Sequence, residues 1–296
     1  MRARRSIAAL LLAAALCAGR AGAFELSLLT YNVHGLPSWV ARDDPPARIP
    51  QILDKARAYD VVLLQEDFAH HALVVAHNPL RFLLRGNGAP SALFQGAGLT
   101  ILSQLEAIAS ERASYGVCSG WLGAANDCLA RKGWMHARLR LPEGGELDVW
   151  NTHLDAGRGD TDRDARRVQL GRLAAAIERH SAGRAVVAGG DLNLEWSDPA
   201  DRALLDAFAQ RLGLATAVRT QPAEWDDQVD YLLARSGDAL CLAPLAGGKD
   251  ERLLDAAGRA LSDHPGLYAR MRATRCDAPL AAPSAALPPS ARKETP

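Results

Sequence analysis

Apolar and polar positions fall into blocks that predict strands and helices. FELSLLTYNV (24–33) alternates and then turns apolar, the pattern of a strand entering a core. Ile49, Ile52, Leu53 and Ala56 recur at helical spacing, so 48–58 is predicted to be a helix. DVVLLQE (60–66) reads as a short buried strand. AGLTILS (97–103), GWMHARLRL (133–141) and ELDVWNTHL (146–154) read as three more, the last two joined as a hairpin across PEGG. Asp162 can cap a helix running through Arg179, with Leu170, Leu173, Ala174 and Ile177 on one face. RAVVAGGD (184–191) is a predicted strand, 199–213 a helix and DQVDYLLA (227–234) a strand. Strands outnumber helices and neighbours form hairpins. The expected class is therefore α/β, a sandwich of two packed mixed sheets with helices outside. The sequence shows no internal repeat.

The ends of the chain differ from its middle. Arg2, Arg4 and Arg5 precede an apolar run from Ile7 to Ala18, and Ala21-Gly22-Ala23 follows. That is the layout of a secretory signal peptide over 1–23, which would put the mature protein outside the cytosol, secreted or periplasmic. Cys17 offers a lipoprotein alternative, although Leu16 fits a lipobox poorly. Residues 277–296, rich in Pro, Ala and Ser, read as a disordered tail. One domain is expected over 24–276. The formal charge of zero hides a shift: without the four arginines of the first 23 residues, 30 basic residues face 34 acidic ones, a net charge of −4. This is not the basic footprint of a nucleic-acid binder. Beyond Cys17 the chain keeps Cys118, Cys128, Cys241 and Cys276, an even number that suggests disulfides in an exported protein. Nearness in sequence favours Cys118–Cys128 and Cys241–Cys276, and the spacings fit zinc motifs poorly.

The chemistry gathers where predicted strands end. Asn32, with His34 just beyond, closes the first, and Glu66 closes the second. His153 follows in NTH, then Asp191 and Asn193 in GGDLN, Asp230 in DQVDY, and Asp263 and His264 in SDHPGL. Each has a bland reading: Asn32 could bond a turn, Glu66 and Asp67 could cap a helix, His153 could be structural, and Asp263 could cap a turn. Together they supply oxygen ligands for a hard divalent cation, amides for phosphate oxygens and histidines for proton transfer. Those are the parts of a metal-assisted phosphoester hydrolase.

TYNVHGLP, LLQE, NTHLDAG, GGDLN, DQVDYLL and SDHPGL, in this order, resemble the endonuclease/exonuclease/phosphatase superfamily. The resemblance runs from about Leu26 to Leu267. It implies a DNase I-like four-layer α/β/β/α sandwich and a magnesium ion, with manganese as a substitute. It also implies roles. Glu66 is the main metal ligand, with Asn32 beside it and Asp263 near the metal. His153 binds the phosphate or protonates the leaving oxygen. Asp191 orients or activates the attacking water, Asn193 holds a phosphate oxygen, and His264 is the catalytic histidine, oriented by Asp230. Asp191 and His264 compete for the role of general base.

The family includes nucleases, inositol phosphate phosphatases and neutral sphingomyelinases. TYNVHGLP and CSGWLGAANDCLARKGW (118–134) look most like the sphingomyelinase and phospholipase branch, although the long apolar membrane hairpin of bacterial sphingomyelinases has no clear counterpart. The expected substrate is a phospholipid such as sphingomyelin at a membrane surface. A secreted nuclease acting on nucleic acid and an inositol phosphate phosphatase are the alternatives, and a non-catalytic binding module is disfavoured by the full set of acids and histidines. Trp39, Trp196 and Trp225 each lie within a few residues of a different motif, and with His34 they are the candidate substrate-lining residues. Nothing marks a protein partner.

Overall fold

The computed structural model of the 296-residue chain describes residues 23–88, 96–120, 127–218 and 228–276. Most of the leader, the tail and Trp225 lie outside the described residues. The elements in order are β1 (Phe24–Asn32), α1 (Pro45–Ala56), β2 (Val61–Gln65), α2 (His71–His77), β3 (Phe82–Arg85), β4 (Thr100–Ser103), β5 (Ala107–Ser114), β6 (Gly133–Arg140), β7 (Glu146–His153), α3 (Asp160–His180), β8 (Ala185–Asp191), α4 (Pro199–Leu212), β9 (Ala215–Thr216), β10 (Asp230–Arg235), β11 (Leu240–Lys249) and β12 (Leu267–Arg275).

The strands form two six-stranded sheets. Sheet A has the order β11-β12-β1-β2-β4-β3 and sheet B the order β5-β6-β7-β8-β10-β9. Each is built around a parallel pair with a crossover helix, β1–α1–β2 in one and β7–α3–β8 in the other. The remaining pairs are antiparallel in both. The two halves thus share one pairing scheme although the sequence carries no visible repeat.

Apolar side chains alternate between two environments along the central strands. Leu26, Leu28, Val61, Leu63, Leu147, Val149, Val187 and Leu232 fill the core between the sheets. Their neighbours Leu29, Val62 and Leu64 pack outward beneath Ile49, Ile52 and Leu53 of α1 and Val74 of α2. Trp150, Val186, Tyr231 and Leu233 pack outward beneath α3 and α4. Strands covered on both faces read as continuous apolar runs, which is why the sequence betrays them. The result is the expected four-layer sandwich.

Helix starts differ from the sequence expectation where capping chemistry intervenes. Helix α1 begins at Pro45 because Asp44 caps it, accepting from Ala47 N at 3.2 Å, and proline suits a first turn. Helix α3 begins at Asp160, and Asp162 sits inside its first turn, accepting from Gly159 N at 3.0 Å. Both expected disulfides are present, Cys118–Cys128 and Cys241–Cys276.

Candidate active site

Three site residues lie side by side at one end of sheet B. His153 ends β7 and pairs in register with Asp191 at the end of β8, which pairs in turn with Asp230 at the start of β10. Sheet A contributes Asn32 from the end of β1 and Glu66 from just past β2. The second glycine of GGD makes the strand contact close. Gly190 has φ +138, and a Cβ there would lie 1.9 Å from Thr152 O. Only glycine tolerates that backbone at that distance.

Asp191 is the hub. Its Oδ2 accepts from Asn32 Nδ2 at 3.0 Å, lies 3.3 Å from His153 Nε2 and 3.8 Å from His264 Nε2. His264 Nδ1 donates to Asp230 Oδ2 at 2.7 Å, which leaves Nε2 facing Asp191. Glu66 Oε1 stands 3.9 Å from His153 Nε2, too far for a hydrogen bond. Asn193 N donates to Asp191 Oδ1 at 3.0 Å, and its Nδ2 donates to Leu154 O at 2.9 Å.

Burial opposes ionisation of Asp191, but the positive charge of His153, His264 and Lys132 outweighs it and holds the carboxyl well below the usual range. Asp230 behaves oppositely. Burial, with the Asp191 charge nearby, pushes it up to about 6 despite His264. Burial disfavours charge on His264, yet Asp230 and Asp191 push it up to about 10. Among the described residues, Asp230 Oδ1 and His153 Nδ1 have no hydrogen-bond partner. The backbone is strained at the same place: His34, Glu66 and Asn193 are non-glycine residues at φ +47, +59 and +49.

Two groups of ligand atoms lie close enough to share a cation: Glu66, His153 and Asp191; and Asp191, Asp230 and His264. Each offers two carboxylates and one imidazole. In the first the carboxylates come from opposite sheets, and Glu66 is 18% exposed. Asp263 stands apart from both groups. Its side chain is 57% exposed and faces His34 Nδ1 at 3.7 Å and Ser262 Oγ at 3.2 Å. His34 also contacts Asp43, at 3.6 Å. Trp39 sits on a helical turn, Ser38–Ala41, and is 85% exposed. Trp196 is half-buried instead, packed against the core under α4 with the Arg202 guanidinium 5.8 Å from its ring centre.

Sequence reasoning passed over several residues that buttress this site. Asn151, two positions before His153, and Gln65, directly before Glu66, join the sheets. Lys132, buried, donates from Nζ to Leu154 O at 2.7 Å and lies near enough to bias Asp191. Asp67 does not cap the short helical turn that follows it, but binds His71 and Thr100.

The chain belongs to the Endonuclease/Exonuclease/phosphatase family, whose pattern matches residues 29–264. A sphingomyelinase of Mycobacterium bovis is 30% identical over 265 residues, covering 81% of this chain and 51% of that protein. The chain therefore spans about half the length of that relative. Among solved structures, a beta toxin variant from Staphylococcus aureus with bound magnesium ions superposes with a TM-score of 0.63 at 16% identity, covering 83% of this chain and 99% of that one. D. rerio TDP2 complexed with a single-strand DNA product gives 0.61 at 18% identity, covering 83% and 98%. These two share the DNase I-like fold with the chain.

Proposed function

We propose that the protein is an exported phosphodiesterase that binds Mg²⁺ and hydrolyses the headgroup ester of a sphingomyelin-type phospholipid. The observation that supports this reading best is the convergence of Asn32, His153 and His264 on one oxygen of Asp191, with Glu66 at the edge. Glu66 and Asp191, with Asn32 alongside, would hold the ion, which supplies charge neutralisation at the phosphate. A water oxygen attacks phosphorus as the opposite P–O bond breaks. Asp191, ionised beside the protonated His264, orients that water and accepts its proton, and Asp230 fixes the imidazole through Nδ1, as an acid does for histidine in other hydrolases. His153 presents Nε2–H to the leaving oxygen and supplies its proton as the P–O bond breaks, and Asn193 lies beside the same residues.

The lipid reading draws on the sphingomyelinase relative, the net charge of −4 and the exposed Trp39, which suits the boundary between water and a membrane. The disulfides and the charged, apolar start of the chain support export. The test is turnover of sphingomyelin, phosphatidylcholine, duplex DNA and a soluble inositol phosphate side by side, with Mg²⁺ and with EDTA. Turnover of sphingomyelin with Mg²⁺ alone is expected. Full activity in EDTA would remove the metal, and DNA cleavage without lipid turnover would make the protein a nuclease.

A further inference from the structure

Glu66 occupies an awkward position. It follows the last residue of β2 with φ +59, outside the conformations most side chains adopt. The residues on either side of it are both buried and polar. Gln65 Nε2 crosses the gap between the sheets and donates to Asn151 Oδ1 at 2.8 Å. Asn151 Nδ2 donates back to two carbonyls of sheet A, Leu64 O at 2.9 Å and Thr100 O at 3.0 Å. On the other side, Thr100 Oγ1 donates to Asp67 Oδ2 at 2.7 Å, and the same oxygen takes His71 Nδ1. Gly35 N donates to Glu66 O at 2.8 Å.

These bonds form one continuous network, with Thr100 serving both arms. The core cluster between the sheets is otherwise apolar, with leucine, valine, alanine, isoleucine and methionine side chains. Apolar packing is non-directional and sets no fine register, whereas hydrogen bonds fix distance and angle. Asn151 lies two residues before His153 on the same strand, so the amide pair ties the sheet carrying Glu66 to the sheet carrying His153 and Asp191. Asp67 can turn only as His71 and Thr100 allow.

We infer that Gln65, Asn151, Thr100, Asp67 and His71 form a positioning device. It holds the strained Glu66 carboxylate across from His153 and Asp191, so that a divalent cation finds its ligands pre-arranged. His71 is the remote member, on α2, and acts through Asp67. The inference rests on the metal reading above.

Mg²⁺ titrated into the purified chain by calorimetry, without substrate, tests it. His71→Leu is expected to weaken Mg²⁺ binding about 10- to 100-fold, the usual scale for residues that orient metal ligands. His71→Asn keeps a donor near the Nδ1 position and should recover most of the affinity. Thr100→Val, close in shape, gives a second reading if His71→Leu does not fold, and should weaken binding in the same direction. Ser181→Ala, whose hydroxyl bonds Trp150 and Asp148 rather than the network, should lower thermal stability without moving Mg²⁺ affinity. Equal affinity in the unaltered, His71→Leu and Thr100→Val proteins overturns the positioning role alone. No Mg²⁺ binding by the unaltered chain overturns that role and the metal reading together.

Discussion

Strand β7 begins in one acid–histidine cluster and ends in another, and the two are built differently. Near its start, Asp148 is buried on the outer face of sheet B. Arg138 donates to both its oxygens, from Nε at 2.7 Å and Nη2 at 3.0 Å, and Ser181 Oγ adds a bond of 2.6 Å. His136 Nε2 lies 3.3 Å away, its ring stacked on Trp150 with centroids 4.6 Å apart. Burial disfavours the Asp148 charge, but these partners overcome it and hold the carboxyl far below its usual range. At the other end, Asp191 and Asp230 stand in register and share two histidines. One acid is held ionised and the other is pushed up to about 6. Both places set buried aspartates beside histidines. Around Asp148 each carboxylate oxygen is taken, which serves folding. Around Asp230 an oxygen is left over and two acids crowd together, the feature on which the proposed catalytic role rests.

The largest expected effect is on turnover. His264→Ala and His153→Ala should each lower kcat by at least about 10²-fold, the scale of a lost acid or base. Circular dichroism should show both variants folded. Retained rates in either would erase the distinction between the clusters at that residue.

Asp148→Asn should do the reverse. Removing the buried Asp148 charge from the partly buried Arg138, which keeps its bond to His180 O, should cost about 1.5–3 kcal/mol in urea unfolding, while kcat of the folded protein stays unchanged. This cluster also sets a pH dependence. The folded carboxyl is depressed, so its contribution is complete above the unfolded value of about 4 and is lost as pH falls toward the folded value. Unfolding free energy should therefore drop below about pH 4 in the unaltered protein, and less steeply in Asp148→Asn. Equal slopes would show that Asp148 does not set it.

Removing the disulfide of shorter span with Cys118→Ser and Cys128→Ser frees a short loop and should cost about 3 kcal/mol, measured by thermal unfolding. No change on removal would show that this loop is held without it. The smallest effect is at the mouth. Trp39→Ala should lower activity on sphingomyelin vesicles roughly tenfold, the scale of one large apolar contact, and leave a small soluble phosphodiester untouched. Equal losses on both would place Trp39 inside the site.

Much of this comparison could be read in the sequence, and some could not. The central strands announce themselves because both faces are covered. Edge strands do not: β5 is largely exposed, and β11 carries Pro244 with a register shift beside it. Strand β12 alternates clearly, with Leu267, Ala269, Met271 and Ala273 buried, so its pattern was there to be read. Asp191, His153 and Asp230 stood out as polar residues at strand ends, but their alignment in one row depends on long-range pairing that no local pattern encodes. Nor does a local pattern separate Asp148 from Asp191. Both are acids in apolar strands, and only the partners brought by folding tell them apart.

Asp230→Asn beside Asp148→Asn is the most direct test, with kcat and thermal midpoint measured on both at pH 7. Asp230→Asn is expected to lower kcat by at least about 10²-fold without lowering the midpoint, because the carboxylate it removes is crowded by Asp191. Asp148→Asn is expected to lower the midpoint and spare kcat. An Asp230→Asn protein that loses stability but keeps its turnover would contradict the assignment of this cluster to catalysis.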